Sequence, residues 1–227
     1  MLWLTLLSCG EKTLSLDTAT GSENVGIEAQ LRLVSLNDRP QIEIEVRSDF
    51  DNLTTFTEED GITTLFTEPN APFVFTATEG DSLQHRYVGQ APNEAFAFDA
   101  LFLDRGSWLS LLGGVELEEQ LGHGHLWVSI VDNDFNPIPE ATATLDVTSD
   151  PSFVLLETNV PWAQDNIDET GKETLFFPNI LPQEATVTVS TPTELPCYQY
   201  ANASSNNTAS TTIYANTASI LWFICAE

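Results

Sequence analysis

The 227-residue chain has little positive charge: seven Lys and Arg stand against 34 Asp and Glu, a formal net charge of −27. A nucleic-acid binder replaces phosphate counterions with basic side chains, so no nucleic-acid partner is expected. A polybasic membrane-surface protein is excluded for the same reason. Long apolar runs are also missing: the short stretch at the amino terminus and the run from Ala218 to Cys225, which reads as a buried last strand, are both far below the ~20 residues of a spanning helix. There are three cysteines and no Cys-x-x-Cys pair, so neither a zinc ribbon nor a thioredoxin-type site is supported. Gly-x-Ser-x-Gly, Ser-x-x-Lys and His-Glu-x-x-His are absent as well. Two carboxylates close together, as in Glu58-Glu59-Asp60 or Glu116, Glu118 and Glu119, are expected by accident at this acidity and do not define a glycosidase. No enzyme and no cofactor is expected.

What is present is apolar residues and β alternation. Hydrophobic residues make up 42% of the chain, with 13 Phe and 5 Trp, enough for a substantial core. Gln41 to Val46 puts Ile42, Ile44 and Val46 on one face and Glu43 and Glu45 on the other. Thr142 to Val147 and Ala185 to Ser190 alternate in the same way. The one helical segment expected is Ser107 to Gln120, interrupted at Gly113-Gly114.

The strands also repeat. Ile44 to Asp49 lines up with Leu145 to Asp150, and Glu59-Asp60-Gly61 through Phe66 lines up with Glu169-Thr170-Gly171 through Phe176. Pro69-Asn70 and Pro178-Asn179 follow. The fold expected is all-β: two tandem antiparallel β-sandwiches joined by a short linker. The divisions are 1–24 for an amino-terminal remnant and tether, 25–105 for the first sandwich, 106–120 for the linker and 121–227 for the second.

The start of the chain resembles the end of a bacterial lipoprotein signal. Leu6-Leu7-Ser8-Cys9 matches its lipobox at the leucine, the small residue and the cysteine, although Leu7 is bulky and the basic and apolar regions before it are short. The alternatives are a true start further upstream or a short apolar tail. The resemblance implies that Cys9 carries the lipid and that Gly10 to Asn24 is a polar tether. Cys197 and Cys225 then remain, an even number in an exported chain. The expected disulfide closes a loop of roughly 30 residues, which stabilises by about 3–4 kcal/mol. Two reduced buried thiols are the alternative.

A second resemblance lies in Leu126 to Asp132, Pro137 to Leu145, Asp168 to Gly171 and Thr174-Leu175-Phe176. This segment, about Leu121 to Ser190, is similar to the carboxypeptidase regulatory-like domain, a transthyretin-like β-sandwich that lacks the peptidase's zinc ligands. The family usually has Gly where Asn136 and Glu140 stand here. Leu33 to Asp49, with Arg39-Pro40, is a weaker second match.

Two polar motifs offer chemistry. His123 and His125 are alternate residues that could share a strand face and a metal, with His85 or a carboxylate as third ligand; a plain strand edge is the alternative. Asp132 to Asn136 begins like a calcium loop, but Pro137 and Ala143 stand where an EF-hand needs Gly and Glu. A looser calcium turn or an Asx-rich turn remains. The function expected is a non-enzymatic, lipid-anchored cell-envelope protein with a structural, adhesive or binding role. Its partners would be the membrane and an envelope protein or glycan. The alternative is a soluble secreted module that binds carbohydrate or calcium.

Overall fold

The computed structural model describes residues 26–80, 83–133, 136–156, 159, 161–164, 166–167, 171–199 and 207–226, with backbone only at 156 and 171–173. The first half contains β1 (Ile27–Val34), β2 (Glu45–Ser48), β3 (Thr54–Phe56), β4 (Ile62–Thr67), β5 (Pro72–Thr78), β6 (Gln84–Gln90) and β7 (Phe96–Leu101). A helix, α1 (Arg105–Gly114), follows. The second half contains β8 (Gly124–Val131), β9 (Thr142–Leu145), β10 (Phe153–Leu156), β11 (Pro161–Ala163), β12 (Gly171–Ile180), β13 (Glu184–Ser190), β14 (Cys197–Gln199), β15 (Thr208–Thr212) and β16 (Thr217–Cys225). The described residues are all-β apart from α1, which is not long enough to cross a membrane.

The two halves pair their strands by one scheme. β1 runs antiparallel to β4 and parallel to β7, as β8 runs antiparallel to β12 and parallel to β16. β2 pairs β5 and β5 pairs β6, as β9 pairs β13 and β13 pairs β15. Equivalent hydrogen bonds recur in the two halves. Ser35 N donates to Arg39 O and Asp132 N to Asn136 O, each at 2.9 Å. Thr57 N donates to Ile44 O at 3.0 Å and Ile167 N to Ala141 O at 2.8 Å. Val34 bridges Pro40, and Val131 bridges Pro137. Ile44 therefore corresponds to Ala141, not to Leu145 as the sequence alignment expected. Glu43 and Glu140 are equivalent too, both left-handed at φ 60°. That conformation is why glycine is usual before the alanine, and a glutamate holds it only at a cost.

Glu43 also corrects the first expected strand. The left-handed residue breaks Gln41 to Val46, so β2 starts at Glu45 and Ile42 is exposed while Ile44 and Val46 are buried. Two of the three sheets are mixed, because β7 and β16 each return beside the first strand of their copy in the same direction, while β15-β13-β9 is antiparallel as expected.

The halves are also joined more closely than a linker would join them. β6 pairs in parallel with β16, Gln84 to Val88 against Thr217 to Leu221, which fuses one sheet of each sandwich into a single ten-stranded sheet. The segment expected as a linker carries α1. Asp104 caps it, accepting from Ser107 N at 2.9 Å and Ser107 Oγ at 2.6 Å, and these bonds lower its pKa. Trp108, Leu111 and Leu112, at helical spacing, are buried. The helix stops at Gly114, beside Pro161 of β11.

β8, β12 and β16 now have cores on both faces. Trp127, Phe176 and Ile220 face the first core, with Leu31, Phe75 and Trp108. Val128, Leu175, Leu221 and Phe223 face the second, with Ala143, Val187 and Ala209. Every residue of β8 is buried, so it reads as a nearly continuous apolar run. At the far end of β16, Cys225 lies opposite Cys197 of β14, and the two are bonded.

Two glycines test the packing in opposite directions. A Cβ on Gly124 would stand 2.2 Å from Tyr214 O, whereas one on Gly113 meets nothing within 4 Å. Gly124→Ala should lower unfolding free energy by about 2–3 kcal/mol, and Gly113→Ala should raise it by about 0.5–1 kcal/mol. Urea unfolding midpoints of the two variants check both signs.

Candidate functional site

The β6–β16–β8 pairing sets three residues in a row on the face toward the first core. Ala218 lies between His85 and His125, paired with each across its strand. Both imidazoles are fully buried. His85 packs on Phe102, with ring centroids 4.4 Å apart, and on Trp127 at 5.1 Å; His125 packs on Trp108 at 4.7 Å. Leu103 N–H donates to His85 Nε2 at 3.2 Å, so that nitrogen is unprotonated. Asn179 N–H donates to His125 Nδ1 at 3.2 Å, which puts the His125 proton on Nε2.

His125 Nε2 lies 3.9 Å from Glu119 Oε1, too far for a hydrogen bond. Glu119 Oε2 pairs instead with Arg105 of α1, which offsets its charge. Asn179 ties the loop after α1 to the sheet. Its Nδ2 donates to Glu118 O at 2.8 Å and Asp150 Oδ2 at 2.7 Å, and its Oδ1 accepts from Gln120 N at 3.0 Å. Burial drives the pKa of His85 to about 3, aided weakly by His125 and opposed by the Leu83 backbone. Burial likewise lowers His125 to about 3, with the nearby charges of His123 and Arg105 adding to it.

The pair expected to share a metal is arranged differently. β8 begins at Gly124, so His123 precedes the strand. Its Nδ1 lies 3.4 Å from Leu121 O, while His125 turns into the core. No group of three His, Cys, Asp or Glu among the described residues could hold a metal ion. In the Asp132 to Asn136 turn, Asn136 N donates to Asp132 Oδ1 at 2.9 Å, and Asn136 Nδ2 donates to Oδ2 at 3.1 Å. Asp132 is thus bonded to the residue four positions on, and Asp134 lies outside the described residues. So do Cys9, with all of 1–24, and Asp168 to Thr170.

A cleft opens beyond the histidine row, on the same sheet face. The three-stranded sheet β4-β1-β7 is too narrow to cover the whole face of β10, β12, β8 and β16. α1 closes the His125 end through Trp108, and the other end stays open with a volume of about 170 Å³. Its floor is two rows of paired residues, Phe176-Trp127-Ile220 and Thr174-Ser129-Trp222. Ser129 Oγ and Thr174 Oγ1 are 2.7 Å apart and buried. The rim carries Ser35 and Asp38 after β1 and Asp99 on β7. Among the described residues no Lys, Arg or His lines the cleft, so none of them is an imidazole placed to take a proton from a serine. The arrangement can bind, and it holds no nucleophile–base pair.

Period-2 alternation could place Trp127 and Ser129 on one face. Asp38 and Asp99 were not singled out, because only the pairing of distant strands brings them to this floor.

No family model matches the chain, and no curated protein sequence matches it. Among solved structures it is similar to the Bacillus anthracis TIE protein, at 11% identity over 88% of this chain and 34% of that one, with a TM-score of 0.28. It is similar to shaft pilin spaA from Lactobacillus rhamnosus GG, at 11% identity over 89% and 98% with a TM-score of 0.26. A family CBM26 module of Eubacterium rectale Amy13K, solved with maltoheptaose, gives 6% identity over 87% and 92% with a TM-score of 0.31. The chain spans about a third of the length of the first of these. At such scores none of them identifies a family or a function.

The buried histidines make stability depend on pH. Their folded pKa values, about 3, lie below the unfolded value of 6.5, so on acidification the unfolded chain takes up protons first. Stability is full above pH 6.5 and falls as pH drops toward 3, by up to ~1.4 kcal/mol per pH unit for each histidine. Urea midpoints at pH 7.5, 5.5 and 4.5 should show the fall, and His85→Phe should make it shallower.

Proposed function

We propose that this is a non-catalytic protein of the bacterial cell envelope, anchored by lipid on Cys9 and acting through structure, adhesion or binding. The observation that carries the extracytoplasmic reading is the disulfide between two buried cysteines, Cys197 and Cys225. Disulfides persist in oxidising compartments and are rare in reducing ones. The lipobox-like Leu6-Leu7-Ser8-Cys9 and the polar tether after it support the anchor. A single acyl chain holds a protein only marginally, and a diacylglyceryl cysteine supplies the further chains that make anchoring stable.

The carboxypeptidase regulatory-like pattern of Leu121 to Ser190 supports an accessory unit without peptidase chemistry. The cleft supports the same conclusion, having walls for a ligand and no nucleophile–base pair. The alternative, a soluble secreted module, shares the disulfide and the cleft and differs in the anchor.

Fractionation of cells expressing the chain with its native upstream sequence separates the two. Wild-type protein should sediment with membranes and incorporate labelled fatty acid, and Cys9→Ala should move to the soluble fraction without label. Equal partitioning of the two proteins would sink the anchor.

A further inference from the structure

We infer that the cleft between β7 and the β12-β8-β16 floor binds a small organic ammonium ion. This goes beyond the envelope reading and does not rest on it, since the cleft exists in any folded form of the chain.

Size comes first. An engineered apolar cavity of about 150 Å³ accepts benzene, so one of about 170 Å³ accepts a ligand of similar bulk. The chemistry of the lining then selects the charge. Among the described residues its ionisable groups are Asp38 and Asp99, both carboxylates. Arg32 Nη1 donates to Asp99 Oδ2 at 2.9 Å and leaves Oδ1 without a partner among the described residues; the Asp38 carboxylate has none there. Excess negative charge therefore lies at the rim.

Below it are indole and phenyl rings. Trp222 is half-buried and held at 5.5 Å from Phe98 and 5.9 Å from Tyr87, which fixes its orientation. Trp127 and Phe176 lie beneath it, ring centroids 5.3 Å apart and fully buried, so they back Trp222, the ring that a ligand meets. A cation over aromatic faces is attracted by the ring quadrupole, most strongly where water is excluded. Carboxylates above and rings below complement a charged head with an apolar skin, the character of an alkylated ammonium.

The buried hydroxyl pair adds a polar point on the floor. One of Ser129 and Thr174 donates to the other, so the accepting hydroxyl keeps its own proton, with no further partner for it among the described residues. That pair suits a hydroxyl or ether on the ligand. Other ligand classes fit less well. A bare calcium ion needs six to eight oxygens and gains nothing from indole. A hexose is bulkier and needs several donors, whereas the rim offers carboxylate acceptors. An anion meets two carboxylates, and the Arg32 guanidinium beside them is already held by Asp99.

Titration of the folded protein with choline, followed by tryptophan fluorescence and calorimetry at low salt, tests the assignment. Its uncharged isostere, 3,3-dimethyl-1-butanol, is the comparison. Choline should bind saturably at one site and about tenfold more tightly than the isostere. Asp38→Asn and Asp99→Asn should each weaken choline by about three- to tenfold, with thermal unfolding confirming that both fold. Asp51→Asn, an acid outside the cleft, should change nothing and so controls for general attraction to an acidic protein. Equal affinity for choline and the isostere overturns the proposal. So does the lack of saturation, or an Asp51→Asn effect as large as that of the cleft variants.

Discussion

The parallel pairing of β6 with β16 is the contact on which the other features rest. Each sandwich alone would end in an open edge there, a row of unpaired backbone donors and acceptors that invites aggregation. Joined, the edges satisfy each other, and one sheet runs through both halves. The outer face of β8, β12 and β16, which one isolated sandwich would turn to water, becomes the floor of the first core. That face must be apolar to be covered, which explains Trp127, Phe176 and Ile220. The cover is incomplete, because a three-stranded sheet and a short helix do not span four strands, and the cleft is the remainder.

Register follows from the same junction. Ala218 is the small residue between two imidazoles. A slip of β16 by one residue would turn the Ile220 face toward the second core. A slip by two would force Ile220 between His85 and His125, in a row sized for alanine. The histidines stay uncharged chiefly because they are buried; Asn179 and Leu103 each give a backbone N–H to one ring nitrogen, and Arg105 offsets the nearest carboxylate. Buried polar groups of this kind do more for the uniqueness of a packing than for its net stability, the role attributed to them in some helical systems. Here the row defines which residues of three strands lie opposite one another.

What could be read from the sequence follows from range. Alternation within one strand is local, so Ala185, Val187 and Val189 of β13 are buried as expected, and the apolar run of β16 is a buried strand. The duplication could be seen for the same reason, although its register was set by chemically similar Ser-Asp pairs rather than by the hydrogen-bonded Ile44 and Ala141. Glu43 misled because a left-handed glutamate carries no compositional signal, unlike the asparagines that take the same conformation at Asn70 and Asn179. The helix expected from Ser107 does form, inside the segment expected as a linker; Gly113-Gly114 reads as a break, and the glycines end a helix already anchored by Trp108. Parallel contacts between β6 and β16 join residues more than a hundred positions apart, beyond any periodicity. The cleft is made of such contacts and was therefore invisible.

The charge takes a different meaning in this frame. Among the described residues three bases are paired with acids, Arg32 with Asp99, Arg47 with Asp49 and Arg105 with Glu119. The first two pairs are largely exposed and contribute little. Glu119 is the acid that lies deepest among these pairs, and it is the one that keeps an arginine from the helix. The remaining acids form a field rather than a set of bonds, drawing cations to the whole surface and falling away within a Debye length. Such a field cannot choose among cations. Choice requires a place where charge meets a shaped apolar wall, and Asp38 and Asp99 stand above Trp127 and Trp222 at the one open end of the shared sheet's inner face.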